Sequence, residues 1–248
     1  MADKTWYENW FNSPFYHKLY FQRDEKEARF FLAALIDYLK PFPGSNWLDV
    51  ACGRGRLSRI LAENGFEVTG FDIAPRSIEY ARPFENKHLS FFQHDMRRSF
   101  RINYYDFVIN FFTSFGYFNT RREHDDAIRT MAVSLKKGGI LIIDYLNTHY
   151  VEDHLVREDH LSIEGTSFDI HRWEDEHFFY KKIRINDPSL AAAATHTEKI
   201  AKFSLGDFTD MLSFQHLQVR AVFGDYALGA YDTRNTPRLI IIADKGKS

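Results

Sequence analysis

Two aspartates flank a glycine turn, and their spacing suits recognition of a ribose. Asp49 lies just before the turn in Trp47-Leu-Asp-Val-Ala-Cys-Gly-Arg-Gly-Arg56, and Asp72 follows 23 residues later. A Gly-x-Gly bend between a strand and a helix lets backbone N–H groups approach a ligand at the helix N-terminus. A carboxylate at the end of the next strand can accept both hydrogen bonds of a ribose diol. A nicotinamide dinucleotide would use part of this pattern, but the position that should be Gly or Ala is Ser58. Charge separates the two readings further. A pyrophosphate at the bend would face Asp49, and two unit charges ~5 Å apart repel by ~3 kcal/mol at an effective dielectric of 20. Asp49 instead suits a ligand with a positive centre beside its ribose.

Asp49-Val-Ala51-Cys52-Gly53-Arg-Gly55 resembles the first motif of class I S-adenosylmethionine-dependent methyltransferases, with Ala51 where that family usually has glycine. Asp72, followed by Ile73, matches the acid that binds the ribose hydroxyls. His94-Asp95-Met96 resembles the pair beside the adenine, an acid for the exocyclic amine and an apolar flank. Tyr105-Asp-Phe-Val-Ile-Asn110, followed by Phe111, resembles the fourth strand, which ends at the reaction centre. Leu135-Lys-Lys-Gly-Gly139 and the apolar run up to Asp144 resemble the fifth, and residues 224–226 and 238–243 resemble the end strands of small-molecule members. The resemblance implies S-adenosyl-L-methionine as cofactor, held at Asp49, Ala51, Cys52, Gly53, Gly55, Asp72, Ile73, Asp95, Met96, Asn110 and Phe111. It also implies an N-terminal helix closing over the cofactor, with Tyr16 or Tyr20 near the methyl group and Arg23 on the methionine carboxylate.

The implied reaction is an in-line displacement onto an N or O atom of a small-molecule acceptor, for which the protein chiefly supplies positioning and a dry site. No covalent nucleophile is required, and Cys52 has no histidine placed near it in sequence. A hydroxyl acceptor would need a general base, for which His149 and His17 are the candidates. The histidines at 149, 154, 160, 171 and 177 lack the spacing of a zinc protease, so no metal site is expected. Aromatic residues in 6–21 and 111–118 are expected to wall the acceptor pocket and to stabilise a sulfonium by cation–π contact. Asn110-Phe-Phe-Thr replaces the Asn-Pro-Pro-Tyr type of signature found in many methylases of DNA or protein amides. An NAD(P)-dependent oxidoreductase and a non-catalytic cofactor-binding or scaffold protein are the alternative readings.

The elements that must position these residues alternate regularly. Strands are expected at 46–50, 66–73, 89–94, 105–110 and 140–145, with helices at 53–64, 75–82 and 121–136. This spacing predicts an α/β fold, a doubly wound, mostly parallel seven-stranded Rossmann-like sheet. An aromatic-rich helical cap over 1–43 precedes it. Residues 161–173, 177–185 and 195–203 carry partial two-residue alternation, which predicts an antiparallel β insertion or lid over 151–200. Ser204 can cap a helix over 204–212, and strands at 218–223 and 238–243 complete the sheet. The cofactor-binding domain is therefore expected to comprise 1–150 and 201–248. The 248 residues carry 32 basic and 34 acidic side chains, a net charge of −2 that offers no footprint for nucleic acid. A single cysteine excludes an internal disulfide framework. No apolar run approaches the ~20 residues of a membrane span, and the acidic N-terminal segment does not read as a signal peptide. The expectation is a cytoplasmic monomer or homodimer.

Overall fold

The structure, a computed structural model, describes residues 6–20 and 25–246. Helices α1 (Trp6–Phe11), α2 (Pro14–Leu19) and α3 (Glu25–Leu39) lead into the alternating body. That body runs β1 (Asn46–Val50), α4 (Arg56–Glu63), β2 (Glu67–Asp72), α5 (Pro75–Ala81), β3 (Leu89–Gln93), β4 (Tyr105–Asn110), α6 (Arg121–Ser134) and β5 (Leu135–Leu146). A short helix α7 (Thr148–Asp153) follows, then strands β6 (Glu158–Ile163), β7 (Thr166–Glu174), β8 (Phe178–Asn186) and β9 (Ala194–Ala201). Helix α8 (Leu205–Phe214) and strands β10 (Leu217–Phe223) and β11 (Arg238–Lys245) end the chain's described course.

The seven-stranded sheet has the order β10-β11-β5-β4-β1-β2-β3, with β11 antiparallel to both neighbours. Chain direction across the sheet reverses between β1 and β4, and ligands bind beside the carboxyl ends of strands at such a switch point. The strands read as continuous apolar runs because both faces are covered. Leu48, Leu141, Ile143, Leu239 and Ile241 enter one core, while Trp47, Ile142, Ile240 and Ile242 enter the core on the opposite face. The second sheet, β6-β7-β8-β9, is wholly antiparallel. Its apolar face, with Phe168, Ile170, Ile183 and Ile185, packs against Trp10 and Leu19 of the N-terminal helices in a third core.

Three local differences from the sequence reading have physical causes. The segment 161–173 is two strands, because Glu164 and Gly165 both take positive φ (47° and 78°) in a two-residue hairpin turn. Glutamate is an uncommon first residue there, so the turn is inconspicuous in sequence. Helix α6 stops at Ser134, and Gly138-Gly139 lie in β5, where Leu135 pairs with Tyr105 but Ile140 pairs with Phe107. The glycines serve that irregularity rather than a helix cap. Helix α7 has no counterpart in the expected elements. The Ser204 cap, by contrast, forms with Asp207 as a reciprocal capping box.

A buried ion pair braces the strand ends beside the switch point. Arg238 Nε of β11 donates to Asp144 Oδ1 of β5 at 2.8 Å, and Asp144 is fully buried. The other carboxylate oxygen accepts from Phe112 N–H at 2.7 Å and from the Tyr226 hydroxyl at 3.2 Å. Arg238→Met leaves that carboxyl without a counter-charge, and denaturant titration should show a loss of about 3 kcal/mol at neutral pH. The loss should shrink as the pH falls, because a protonated Asp144 no longer needs the guanidinium. An undiminished midpoint at neutral pH would mean that the pair braces nothing.

Candidate active site

A cavity of about 550 Å³ opens at the carboxyl edge of the sheet, roofed by α1 and α2. Its floor is the glycine turn. Ala51, Gly53 and Gly55 all take left-handed φ, at 60°, 56° and 74°, and Cys52 N–H donates to Phe71 O at 2.9 Å, tying the turn to β2. A Cβ on Gly55 would lie 2.3 Å from the Phe91 ring, so only glycine lets α4 start this close to β3. Ala51 occupies a conformation that glycine adopts without penalty.

The two acids are held differently. Asp72 Oδ2 accepts from Gly53 N–H at 2.9 Å, and Oδ1 accepts from Ala74 N–H at 2.8 Å. An ionised carboxylate offers about four lone-pair sites, so two remain for a ligand. Burial raises its pKa, against those backbone bonds. Asp49 is 1% exposed, and the Ser58 hydroxyl donates to its Oδ2 at 2.6 Å. Burial pushes its carboxyl up to about 7; the Ser58 bond opposes this, and the neighbouring Asp72 charge adds to it. Ser58, the residue that breaks the dinucleotide pattern, is thus the partner of Asp49. Asp95 also lines the cavity, but its carboxylate is gripped by Arg97 Nε and Nη2 at 3.1 and 2.7 Å. Burial opposes ionisation there, yet the Arg97 bonds keep the group below the usual carboxylate range.

The far end of the cavity is aromatic, with Tyr7, Phe11, Tyr16, Tyr20, Tyr117 and Phe118 in its lining. The Tyr16 ring lies 4.8 Å from Tyr20 and 5.0 Å from Phe11, centroid to centroid. Strands of the second sheet reach this end. The Tyr20 hydroxyl donates to Glu198 of β9 at 2.7 Å, and Lys181 Nζ of β8 donates to the Tyr20 oxygen at 2.7 Å. Trp10 Nε1 donates to the same Glu198 carboxylate at 2.7 Å, and Glu198 is 5% exposed.

The structure brings Asp49, Ala51, Cys52, Gly53, Asp72, Ile73, Asp95, Met96, Phe111, Tyr16 and Tyr20 into one cavity lining. Gly55, at the end of the same turn, is outside that lining and faces Phe91. Two assignments require correction. Asn110 is fully buried outside the lining, and its Nδ2 donates to Val50 O at 3.0 Å, so its side chain ties β4 to β1. His149 sits on α7, where its Nδ1 pairs with Glu152 at 3.1 Å, and it does not reach the cavity. Arg23 lies outside the described residues. His17 does line the cavity, but burial first, then the charges of Arg54 and Arg76, holds it down to about 4, so it is neutral at pH 7 and a poor base. Burial holds the Cys52 thiol well above its ordinary range, which keeps it protonated. Glu198, Lys181, Arg54 and Arg59 were missed. The first two lie in an insertion without a motif, and nothing in the helix expected over 53–64 marks its arginines.

A doubly wound sheet with one antiparallel strand, a glycine turn and strand-end acids is the fold of S-adenosylmethionine-dependent methyltransferases. One from Clostridium acetobutylicum ATCC 824 superposes with a TM-score of 0.78 at 16% identity, covering 94% of this chain and 96% of that one. The S-adenosylmethionine-bound amino pentose methyltransferase CalS10 from Micromonospora echinaspora gives 0.71 at 18% identity, covering 94% and 97%. A family model described as a methyltransferase domain matches residues 22–196, and the chain belongs to that family. Glycine N-methyltransferase of Rattus norvegicus is 27% identical over 150 residues, covering 54% of this chain and 51% of the relative. The chain spans about half the length, or less, of the first curated relatives it matches, at 40%, 46% and 51%.

The left-handed alanine supplies a direct check on the turn. Glycine raises the entropy of the unfolded chain, which costs some stability, but it removes the Cβ clash, so Ala51→Gly should gain about 0.5–1 kcal/mol in denaturant titration. A loss of stability would mean that the methyl group has a packing role that outweighs its strain.

Proposed function

We propose that this chain transfers the methyl group of S-adenosyl-L-methionine to an N or O atom of a small-molecule acceptor. The observation that carries the reading is Asp72, a buried carboxylate stitched to the glycine turn with two lone-pair sites left facing a cavity. Support for a small acceptor comes from the relatives: CalS10 acts on an amino pentose, KedS8 is a sugar N-methyltransferase, and the rat relative methylates glycine, as their names state.

In this reading residues 1–150 and 201–248 form the cofactor-binding domain, with 1–43 as its cap and 151–200 as its lid. Asp72 accepts the ribose hydroxyls, Gly53 admits the backbone to the ligand, and Gly55 lets α4 start against β3. Ile73 and Met96 flank the adenine, with Asp95 at its edge. When bound, the cofactor supplies an electrophilic methyl group on a sulfonium. Asp49 provides the counter-charge at the turn, and Phe111 closes the apolar side. Tyr16 and Tyr20 direct the acceptor, and the surrounding rings exclude water from it. His149 lies outside the cavity, the low pKa of His17 makes it a weak base, and the Nε2 of His94 is engaged with Arg98 O, which favours an acceptor that arrives as a neutral amine.

Two measurements test this. Calorimetry should show S-adenosylhomocysteine binding to the wild type and a loss of about 100-fold in Asp72→Ala, since two hydrogen bonds to a charged group are removed. Asp72→Asn should fall between them, and a wild type that binds none would refute the assignment. The second concerns Asp49. Its carboxyl holds a proton below about 7, and only the ionised form attracts a positive centre. The affinity ratio of S-adenosylmethionine to S-adenosylhomocysteine should therefore climb from about pH 6 to about pH 8. A flat ratio would separate Asp49 from the sulfonium.

A further inference from the structure

Among the described residues, four buried side-chain nitrogens have no hydrogen-bond partner, and three of the four belong to one flank of the cavity. They are Arg54 Nε, Arg59 Nε and His17 Nε2. The two guanidiniums are also without a carboxylate: no ion pair to Arg54 or Arg59 forms among the described residues. Aromatic rings hold them instead. Arg54 lies 4.5 Å over Tyr80, and Arg59 lies 4.3 Å over Phe84. Those two rings are themselves neighbours, with centroids 6.0 Å apart, and both arginines line the same cavity. A guanidinium stacked on a ring keeps its edge free for a planar, bidentate partner.

The cofactor does not account for this flank. Its adenosine is uncharged, and its one carboxylate is assigned by the resemblance to Arg23, which precedes α3. Tyr80 and Phe84, in contrast, belong to α5 and the single turn after it, on the side that follows Asp72. Two like charges in one lining, each with an unfilled donor, call for a ligand rich in acceptor oxygens and negatively charged. His17, neutral through burial and the nearby Arg54 charge, adds a ring nitrogen without adding repulsion.

We propose that Arg54, Arg59 and His17 form an oxyanion subsite, and that the acceptor is an acidic small molecule whose phosphate or carboxylate group docks there. The inference rests on the methyltransferase reading, because it makes the anion part of the acceptor. It narrows that reading from any small metabolite to one anchored by its charge, with the arginine flank holding one end and the aromatic end presenting the other for methylation.

Simple anions can probe the subsite while the acceptor is unidentified. Protein saturated with S-adenosylhomocysteine is titrated calorimetrically with inorganic pyrophosphate, phosphate or malonate, at matched ionic strength so that screening is constant. The expected result is saturable anion binding to the binary complex. It should weaken at least about tenfold, or about 1.4 kcal/mol, in Arg54→Met/Arg59→Met, and by a smaller factor in Arg59→Met alone. A preference for the phosphates over malonate assigns a phosphorylated acceptor, and the reverse assigns a carboxylated one. The S-adenosylhomocysteine titration of each variant reports that its glycine turn is intact. No saturable binding, binding that survives in the double variant, or mutual exclusion between anion and S-adenosylhomocysteine overturns the subsite. Arginine-dependent anion binding by a protein that takes up no S-adenosylhomocysteine would instead refute the cofactor assignment and leave the anion site standing.

Discussion

Two carboxylates buried at the ends of adjacent parallel strands must be kept compatible, and the cavity floor is arranged around that requirement. Asp49 stands opposite Gly70 in the β1–β2 register, and Asp72 comes two residues beyond Gly70. Burial disfavours both charges, and each disfavours the other. Asp72 is compensated by backbone N–H groups of Gly53 and Ala74, which cannot rotate away. Asp49 has the Ser58 hydroxyl, a weaker partner, and its ionisation is correspondingly poised near neutrality. The asymmetry makes them chemically different. A carboxylate already fixed by amides suits a neutral diol, whereas an under-compensated one gains most from a positive centre. Gly70 belongs to the same device, because a Cβ there would lie 2.9 Å from the Ser58 hydroxyl and 2.8 Å from the Phe91 ring.

The aromatic end is assembled from distant segments. Trp10 and Tyr20 of the cap converge on Glu198 of the second sheet across 188 and 178 residues of sequence. Leu19 and Trp10 share an apolar core with Phe168, Ile170, Ile183 and Ile185. The roof is therefore carried by the antiparallel insertion through Trp10 and Leu19 and by the core of the larger sheet through Tyr7. Its polar clasp is nearly buried, which makes each unsatisfied donor costly if the cap lifts. The insertion thereby contributes to the orientation of Tyr20, although none of its residues enters the cavity lining.

This division explains what the sequence disclosed. The strand–turn–helix around Asp49 and the strand end at Asp72 are local patterns, so element type, order and the parallel core could be read directly. The Ser204 cap is equally local. Asn110 misled because the last residue of a strand in a switch-point sheet ordinarily faces a ligand. Here its amide turns inward to the Val50 carbonyl. Glu198 was silent because a lone glutamate in an alternating strand looks like any solvated position. The arginine flank was silent for a related reason, since Arg54 and Arg59 at the start of an amphipathic helix carry no sign that rings will hold them. Charge, unlike hydrophobic period, does not reveal its partner in one dimension.

The loop that follows β4 shows why the antiparallel end of the sheet matters to a site built on the parallel part. Phe112 and Thr113 both take left-handed φ, at 56° and 57°, and both line the cavity. Neither has glycine's tolerance, and such conformations cost about 1–2 kcal/mol per residue. A loop under that strain relaxes unless it is tied at several points. Asp144 supplies two ties, its side chain to Phe112 N–H and its carbonyl to Thr113 N–H at 3.1 Å, and Arg238 adds a third by donating to the Thr113 hydroxyl at 2.9 Å. Arg238 comes from β11, which pairs directly with β5 through Leu146 to Ile140. A glycine pair would have satisfied the same backbone with no strain, but it would have left the wall free to move. Strain held by a buried ion pair gives one defined position to that wall of the cavity.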